Sequence, residues 1–414
     1  MRPMPRHPGG PDRHGPAAPL TAGVAPSLLR EMNQRLLLDR LFTVGSATRP
    51  QLARDTGLSQ PTVIAALDDL ERAGLVVGVA AGQGRQLGRP ARLYRANAAA
   101  GTVAGIDIGR GWLHLRVADL LGETLAELSV RNTAKSAGAL VDLTARALEE
   151  TIEKAGLALS AVTHTAIGSP GVLDPRRGGV RYAANLPGWH QAGLAQALAE
   201  RIGPSLSIDN DANLAALAEL NYGAARGFTD VAYLTVGTGV GVGLVLDGRL
   251  YRGAHGAAGE VGYLPISDRP PVGSGRRARG MLEEAVAADA VVTYAREAGL
   301  TGRVTAERVF ELAAAGDPRA RQAVDEQGRR LALAVASVAA LVDPELIVVG
   351  GRVGQNLALL EPSITAGLRQ LTPMRPRLVA GELGQDAVAR GAVARGTVLA
   401  REAVFAGRVR PALG

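Results

Sequence analysis

The chain has 414 residues, 47% of them apolar, and no cysteine, so it has room for two or three domains while disulfides, thiolate metal sites and cysteine nucleophiles are excluded. No run of about 18 apolar residues escapes interruption by Gly, Pro or charge, so no membrane-spanning helix is expected and the expected compartment is the cytoplasm. Its net charge of +7 is unevenly spread: residues 1–97 hold 13 Arg against 7 Asp and Glu, the remainder 33 Lys and Arg against 32 Asp and Glu, as in a nucleic-acid-binding module ahead of a neutral body.

Residues 1–25 are rich in Pro, Gly, Arg and His, lack the apolar core of a secretory signal, and read as a disordered tail. From Glu31 to Val44 the apolar residues recur at helical spacing until Gly45 and Ser46 break the pattern. A short helix fits Arg49 to Thr56, with Pro50 in its first turn. Gly57 supplies a turn, and Ser59 is a natural N-cap for a third helix from Gln60 to about Ala73. Two short helices around a glycine turn form the helix-turn-helix arrangement. The second would present Ser59, Gln60 and Thr62 near its N-terminus, where side chains meet base edges in a major groove. A strand over Leu75–Val79, a Gly-rich tip with Arg85 and Gly88-Arg89-Pro90, and a returning strand over Arg92–Arg95 complete a wing. A slim Gly-Arg-Pro segment can place its guanidinium in a narrow minor groove. The competing reading of such a module is protein interaction. Basic balance, helix order, capping and wing together favour DNA.

Beyond residue 101 strands and helices alternate. Strands are expected over Thr102–Ile108, Trp112–Asp119, Thr124–Val130, Ala161–Ile167, Leu206–Ile208, Val231–Val236, Gly241–Asp247 and Glu345–Val349. Helices are expected over Ala137–Ala155, Gly193–Ile202, the segment through Glu219, Met281–Ala298, Ala306–Ala315 and Pro318–Val342. The theme runs twice, which suggests two related α/β lobes facing a cleft with a boundary near 225–230. Glycine clusters stand where strands end, at Gly109, Gly168–Gly171, Gly237–Gly241 and Gly350-Gly351. In open α/β sheets ligands gather there. Beside them lie Asn185 and Trp189, Asn210-Asp211, Glu260 and Glu283. Carboxylates and amides converging on a cleft, with a Trp for stacking, suit a polyhydroxylated ligand, because each hydroxyl both donates and accepts. Asp211 also reads as a helix N-cap, and Glu283 as a stabiliser of a helix N-terminus.

Several stretches together resemble the transcriptional regulators of the ROK family (repressors, open reading frames and sugar kinases) over roughly residues 30–405. They are Thr56-Gly57-Leu58-Ser59, Gly88-Arg89-Pro90, Gly105-Ile106-Asp107-Ile108-Gly109, Asn185-Leu186-Pro187-Gly188-Trp189, Asn210-Asp211-Ala212-Asn213 and Gly259-Glu260-Val261-Gly262. The resemblance implies an α/β chain in which a winged helix-turn-helix over 26–97 precedes a two-lobed actin-like sugar-kinase domain over 102–405. It implies a sugar held at Gly171, Asn185, Asn210, Asp211, Glu260, Tyr263 and Glu283, with Asp211 standing where the family's kinases place their general base.

Two departures from the family pattern matter. Its kinases follow the first Asp-x-Gly with Gly-Thr in a phosphate-binding turn, whereas this chain has Arg110 and Gly111; the second such turn, Gly237-Thr238-Gly239, is kept. Losing half the cradle argues against phosphoryl transfer, although an arginine can also contact a phosphate. The family's zinc-binding His and Cys are absent too, with Tyr263 and Met281 in their places, so no metal is expected. Tyr263 either keeps a hydrogen bond to the sugar or narrows the pocket. The expectation is a non-enzymatic, cofactor-free, sugar-responsive repressor of carbohydrate genes that binds double-stranded operator DNA as a homodimer or homotetramer. A free sugar is preferred over a sugar phosphate, because an ionised Asp211 repels phosphate. The alternative is an ATP-dependent sugar kinase with Asp211 as base.

Overall fold

The computed structural model describes residues 26–80, 92–174, 179–181, 186, 189, 191–203, 205–267 and 279–409. The chain divides into two compact units, one reaching Ala96 and including Val409, the other Asn97–Arg408. Among the described residues no helix is long and apolar enough to cross a membrane.

The first unit runs α1 (Pro26–Val44), β1 (Ser46–Thr48), α2 (Arg49–Thr56), α3 (Gln60–Arg72), β2 (Val76–Ala80) and β3 (Arg92–Ala96). A reciprocal capping box starts α2: Gln51 N–H donates to the Thr48 hydroxyl at 3.4 Å, while Thr48 N–H donates to Gln51 Oε1 at 2.8 Å. Gly57, at φ 71°, ends the helix in the left-handed region that glycine enters without a Cβ clash. Leu52, Val63, Leu67 and Leu70 are fully buried with Leu37 and Leu41 of α1. Buried Asp69 ties α3 to α1 by accepting two bonds from Arg30, at 2.6 and 2.7 Å, and one from Gln34 at 2.7 Å. Where the sequence shows only a helix break, Ser46–Thr48 pairs antiparallel with β3 and makes the sheet β1-β3-β2. Three residues are too few for alternation to reveal a strand.

The second unit opens with an antiparallel meander of β4 (Thr102–Ile108), β5 (Trp112–Asp119) and β6 (Thr124–Arg131). Then come α4 (Ala137–Lys154), β7 (Val162–Ser169), the short paired strands β8 (Val172–Asp174) and β9 (Gly179–Arg181), α5 (Leu194–Ile202) and β10 (Leu206–Asn210). Helix α6 (Asp211–Tyr222) leads to a second meander of β11 (Val231–Val236), β12 (Val240–Leu246) and β13 (Arg249–Tyr251). Next are α7 (Met281–Val286), α8 (Ala288–Glu297), α9 (Ala306–Ala314), α10 (Pro318–Val342) and β14 (Leu346–Gly350). Last come α11 (Gly351–Gly354), α12 (Leu357–Leu371), β15 (Leu378–Ala380) and α13 (Ala387–Val409).

The sheets read β6-β5-β4-β7-β10 and β13-β12-β11-β14-β15. Each is a meander whose first strand then pairs in parallel with a later strand, and that strand with a fifth. The duplication that the sequence only suggests is therefore explicit in the topology. Ile106, Leu113, Leu148 and Ile167 pack the first lobe's core; Leu234, Val291, Leu331 and Leu360 pack the second's.

The single helix expected over Met281–Ala298 is two, parted at Ala287, whose ψ of 169° is extended. The Ala288 N–H, which a continuous helix would point at its own preceding turn, donates instead to the Gly237 carbonyl at 2.8 Å. The side chain of Gln327 occupies the Val286 carbonyl. Tertiary partners thus take the backbone groups that would have carried the helix through.

Candidate functional site

Helix α3, the expected recognition helix, presents Ser59 and Gln60 exposed at its N-terminal end, followed by half-buried Thr62. Ser59 is its N-cap: Thr62 N–H donates to the Ser59 hydroxyl at 3.3 Å, and the two hydroxyls lie 2.8 Å apart. Those two side chains are therefore spent on holding the helix start, and Gln60 is the exposed side chain beside them. Arg85 and Arg89 fall outside the described residues, as does Asn185.

In the second unit Gly171, Asn210, Asp211, Glu260 and Glu283 line one cavity of about 250 Å3. A larger cavity of about 550 Å3 shares Asp107, Gly109, Arg110, Asp211, Gly237 and Thr238 with it. Each wall has a local cause. Asn210 is the N-cap of α6: its Oδ1 accepts from Ala212 N–H at 2.9 Å and Asn213 N–H at 3.3 Å. Its Nδ2 donates to the Gly171 carbonyl at 3.2 Å, and Gly171 takes φ 88°. The capping role that the sequence allowed to Asp211 thus belongs to Asn210, and Asp211 is the first residue of the helix proper. Asp211 Oδ1 accepts from Ala212 N–H at 2.8 Å.

Glu260 stands at the head of a one-turn 3-10 helix (Val261–Tyr263). Gly259, at φ 87°, brings its carbonyl to Val242 N–H at 2.8 Å, and a Cβ there would strike the Val242 carbonyl. Glu283 lies in the first turn of α7, accepting from Val240 N–H at 3.4 Å and facing Arg279 Nε at 3.4 Å. Arg279 also reaches the Thr238 carbonyl at 3.4 Å and Asp289 at 3.1 Å.

Burial sets the electrostatics. It lifts the carboxyl of Asp107 well above the ordinary range, with the neighbouring Asp211 charge adding to the effect. Burial also raises Asp211 against the opposing pull of backbone N–H groups. Glu260 is pushed up to about 7, first by burial and then by the charges of Asp211 and Glu283. Glu283 is raised by burial, while Val240 N–H and Arg279 hold it down. A carboxyl that is protonated near neutrality donates a hydrogen bond and an ionised one accepts, so the cluster can satisfy both roles of a sugar hydroxyl.

Two sequence expectations change. Trp189 is no stacking platform: it is fully buried in the first lobe's core, and its indole N–H donates to Ser169 Oγ. Tyr263 is 46% exposed and is not among the residues that line the smaller cavity, although its N–H donates to the carbonyl of Glu260, which is, at 3.2 Å. Asp107 and Arg279 escaped the site prediction. Asp107 was visible only as part of a glycine-flanked motif, and Arg279 is one arginine of an Arg-rich run with no spacing signal.

A winged helix-turn-helix and a duplicated α/β body with a carboxylate-lined cleft together define the class that joins DNA-binding regulators to sugar kinases. The ROK family model matches residues 103–396, and the chain belongs to the ROK family. It is 27% identical to the xylose repressor of Caldicellulosiruptor bescii, over 79% of this chain and 84% of that one. Its fold is that of a solved ROK family transcriptional regulator, a homologue of the E. coli Mlc protein, with a TM-score of 0.75 at 24% identity, covering 93% of this chain and 99% of that one. It also resembles a ROK glucokinase from Streptomyces griseus solved with glucose and AMPPNP, with a TM-score of 0.63 at 28% identity over 72% of this chain and 99% of that one.

Proposed function

We propose that the chain is a sugar-responsive DNA-binding transcriptional repressor of carbohydrate uptake or catabolism genes. The observation that carries the reading is the convergence of Gly171, Asn210, Asp211, Glu260 and Glu283 on one cavity of about 250 Å3 in a chain that also carries a winged helix-turn-helix. Asn185 joins the sugar set by its place in the family motif. Gln60 reads bases from the head of α3, which Ser59 and Thr62 hold in place, and Arg85 and Arg89 serve the minor groove from the wing. A homodimer, or a tetramer of two such pairs, sets two recognition helices about one DNA turn apart on a palindromic operator. The sugar acts only through its differential affinity for the operator-bound and free states.

Arg110-Gly111, where the family's kinases carry Gly-Thr, supports a body that binds sugar without phosphorylating it and needs no cofactor. The larger cavity, lined by Asp107, Gly237 and Thr238, favours the kinase as a second reading, with Asp211 as base. Fluorescence anisotropy on the chain's own upstream DNA, at fixed salt and with a panel of sugars and sugar phosphates, tests the first reading. One sugar should change the affinity. ADP release across the same panel, with no operator affinity, would support the second reading instead.

A further inference from the structure

The geometry points to Asp209 as a positioning residue that holds three walls of the sugar cavity in register. This deepens the proposed function and rests on it. Asp209 is the penultimate residue of β10, directly before Asn210 and Asp211, and its side chain is only 12% exposed. Its two carboxylate oxygens go to different partners: Arg252 Nε lies 2.8 Å from Oδ1, and Arg395 Nε lies 3.5 Å from Oδ2.

Each partner belongs to a different wall. Arg252 follows β13, at the edge of the second lobe's sheet, and opens the segment that ends at Glu260. That segment is folded back by a bond from Ala258 N–H to the Arg252 carbonyl at 3.1 Å. Arg395 lies on α13, whose residue Val388 lines both the smaller, sugar cavity and the larger one. The β10 end itself belongs to the first lobe and delivers Asn210 and Asp211. One carboxylate therefore fastens the first lobe's contribution to the second lobe's Glu260 loop and to α13. Asp209, Arg252 and Arg395 do not line the smaller cavity; they line a separate recess of about 330 Å3, so they act on the sugar only through what they hold.

A charge pair that is mostly screened from water is worth more than an exposed one, and removing one partner leaves the others poorly compensated. The sugar site needs Asp211 and Glu260 placed within hydrogen-bond tolerance of the same ligand, so loosening this clamp costs sugar affinity without touching a sugar contact.

Calorimetry of the full chain with D-xylose, D-glucose and further neutral monosaccharides finds the tightest wild-type binder, which is then titrated into Asp209→Asn, Arg252→Gln and the double variant. Each single variant is expected to bind about tenfold more weakly. The double is expected to be no worse than the weaker single, because one interaction is lost in all three. Sugar-free operator affinity should be unchanged, and Asp209→Glu should recover part of the loss. If Asp209→Asn does not fold, Arg252→Gln and Arg395→Gln carry the same expectation. Wild-type sugar affinity in the variants, or fully additive losses in the double, overturns the assignment of Asp209 and leaves the sugar-responsive reading standing. A wild type that binds none of the sugars overturns that reading, and this assignment with it.

Discussion

The two lobes carry the same kind of turn at the same place in their sheets. In the first, β4 passes to β5 through Gly109-Arg110-Gly111; in the second, β11 passes to β12 through Gly237-Thr238-Gly239. The second turn closes on itself, with Gly237 N–H donating to the Gly239 carbonyl at 2.9 Å. The first is wider, since Gly109 N–H reaches past the turn to the Trp112 carbonyl, also at 2.9 Å. Between the glycines stand an exposed arginine in one lobe and a threonine, whose carbonyl Arg279 engages, in the other. Duplicating a topology thus conserves where a ligand is met, while the middle residue and the turn's closure decide what chemistry is offered. Phosphoryl transfer depends on positioning and charge stabilisation of the phosphates, and the two turns differ in the backbone groups and side chain they would offer one.

The largest effect should come from giving the first turn the Gly-Thr that the family's kinases carry in place of Arg110-Gly111. Arg110→Gly combined with Gly111→Thr is sterically open, since a Cβ at Gly111 meets nothing within 4 Å. The wild type should show no sugar-dependent ADP release above background, and the double variant should gain at least about tenfold in a coupled assay. Equal, substantial turnover in both would break the comparison.

Arg279 sharpens the comparison from the other lobe, because it links the second turn to Glu283. Arg279→Gln should weaken sugar binding about threefold to tenfold by calorimetry, by freeing both the turn and the carboxylate. It should also shift the pH dependence of binding upward, as Glu283 loses the cation that holds its pKa down. A pH profile that does not move would detach Arg279 from the site.

Glu260 gives a smaller, signed effect. Its folded pKa of about 7 lies above the ordinary carboxyl value, so the native state holds the proton more tightly than the unfolded chain. Its contribution to stability is complete below the unfolded pKa and is lost as pH rises through 7. Melting temperature followed from pH 5 to 8 should therefore fall less, by a few degrees, in Glu260→Gln than in the wild type. Identical slopes would show that Glu260 ionises freely.

Ser59→Ala is the control outside both lobes. Losing the cap should cost about 1 kcal/mol, confined to the winged unit, and leave calorimetric sugar affinity unchanged. Sugar affinity that falls with it would blur the separation of roles.

Much of this was legible in the sequence where chemistry is local. The Ser59 cap, the Gly57 turn and the limits of α2 and α3 follow from side-chain preferences within a few residues, and the structure places them as expected, whereas α1 starts at Pro26, ahead of the expected Glu31. The glycines at strand ends marked the cleft because a ligand site needs backbone approach there. Features that depend on distant partners were not legible. Trp189 carries the same residue type whether it stacks on a ligand or fills a core, and only packing made it core. The break at Ala287 depends on Gly237 and Gln327, both far along the chain. Asp209 directly precedes the Asn210-Asp211-Ala212-Asn213 motif and nothing local marks it, because its partners lie 43 and 186 residues away, at Arg252 and Arg395.

The most direct test of the central claim is a side-by-side anisotropy titration of operator DNA with the wild type and Asp211→Asn, at one salt concentration and across a range of the tightest-binding sugar. The account predicts matching operator affinity without sugar, a sugar-dependent shift in the wild type, and that shift lost or moved to at least about tenfold higher sugar in the variant. An unaltered sugar response in Asp211→Asn would contradict it, because the effector would then be read somewhere other than the carboxylate-lined cavity.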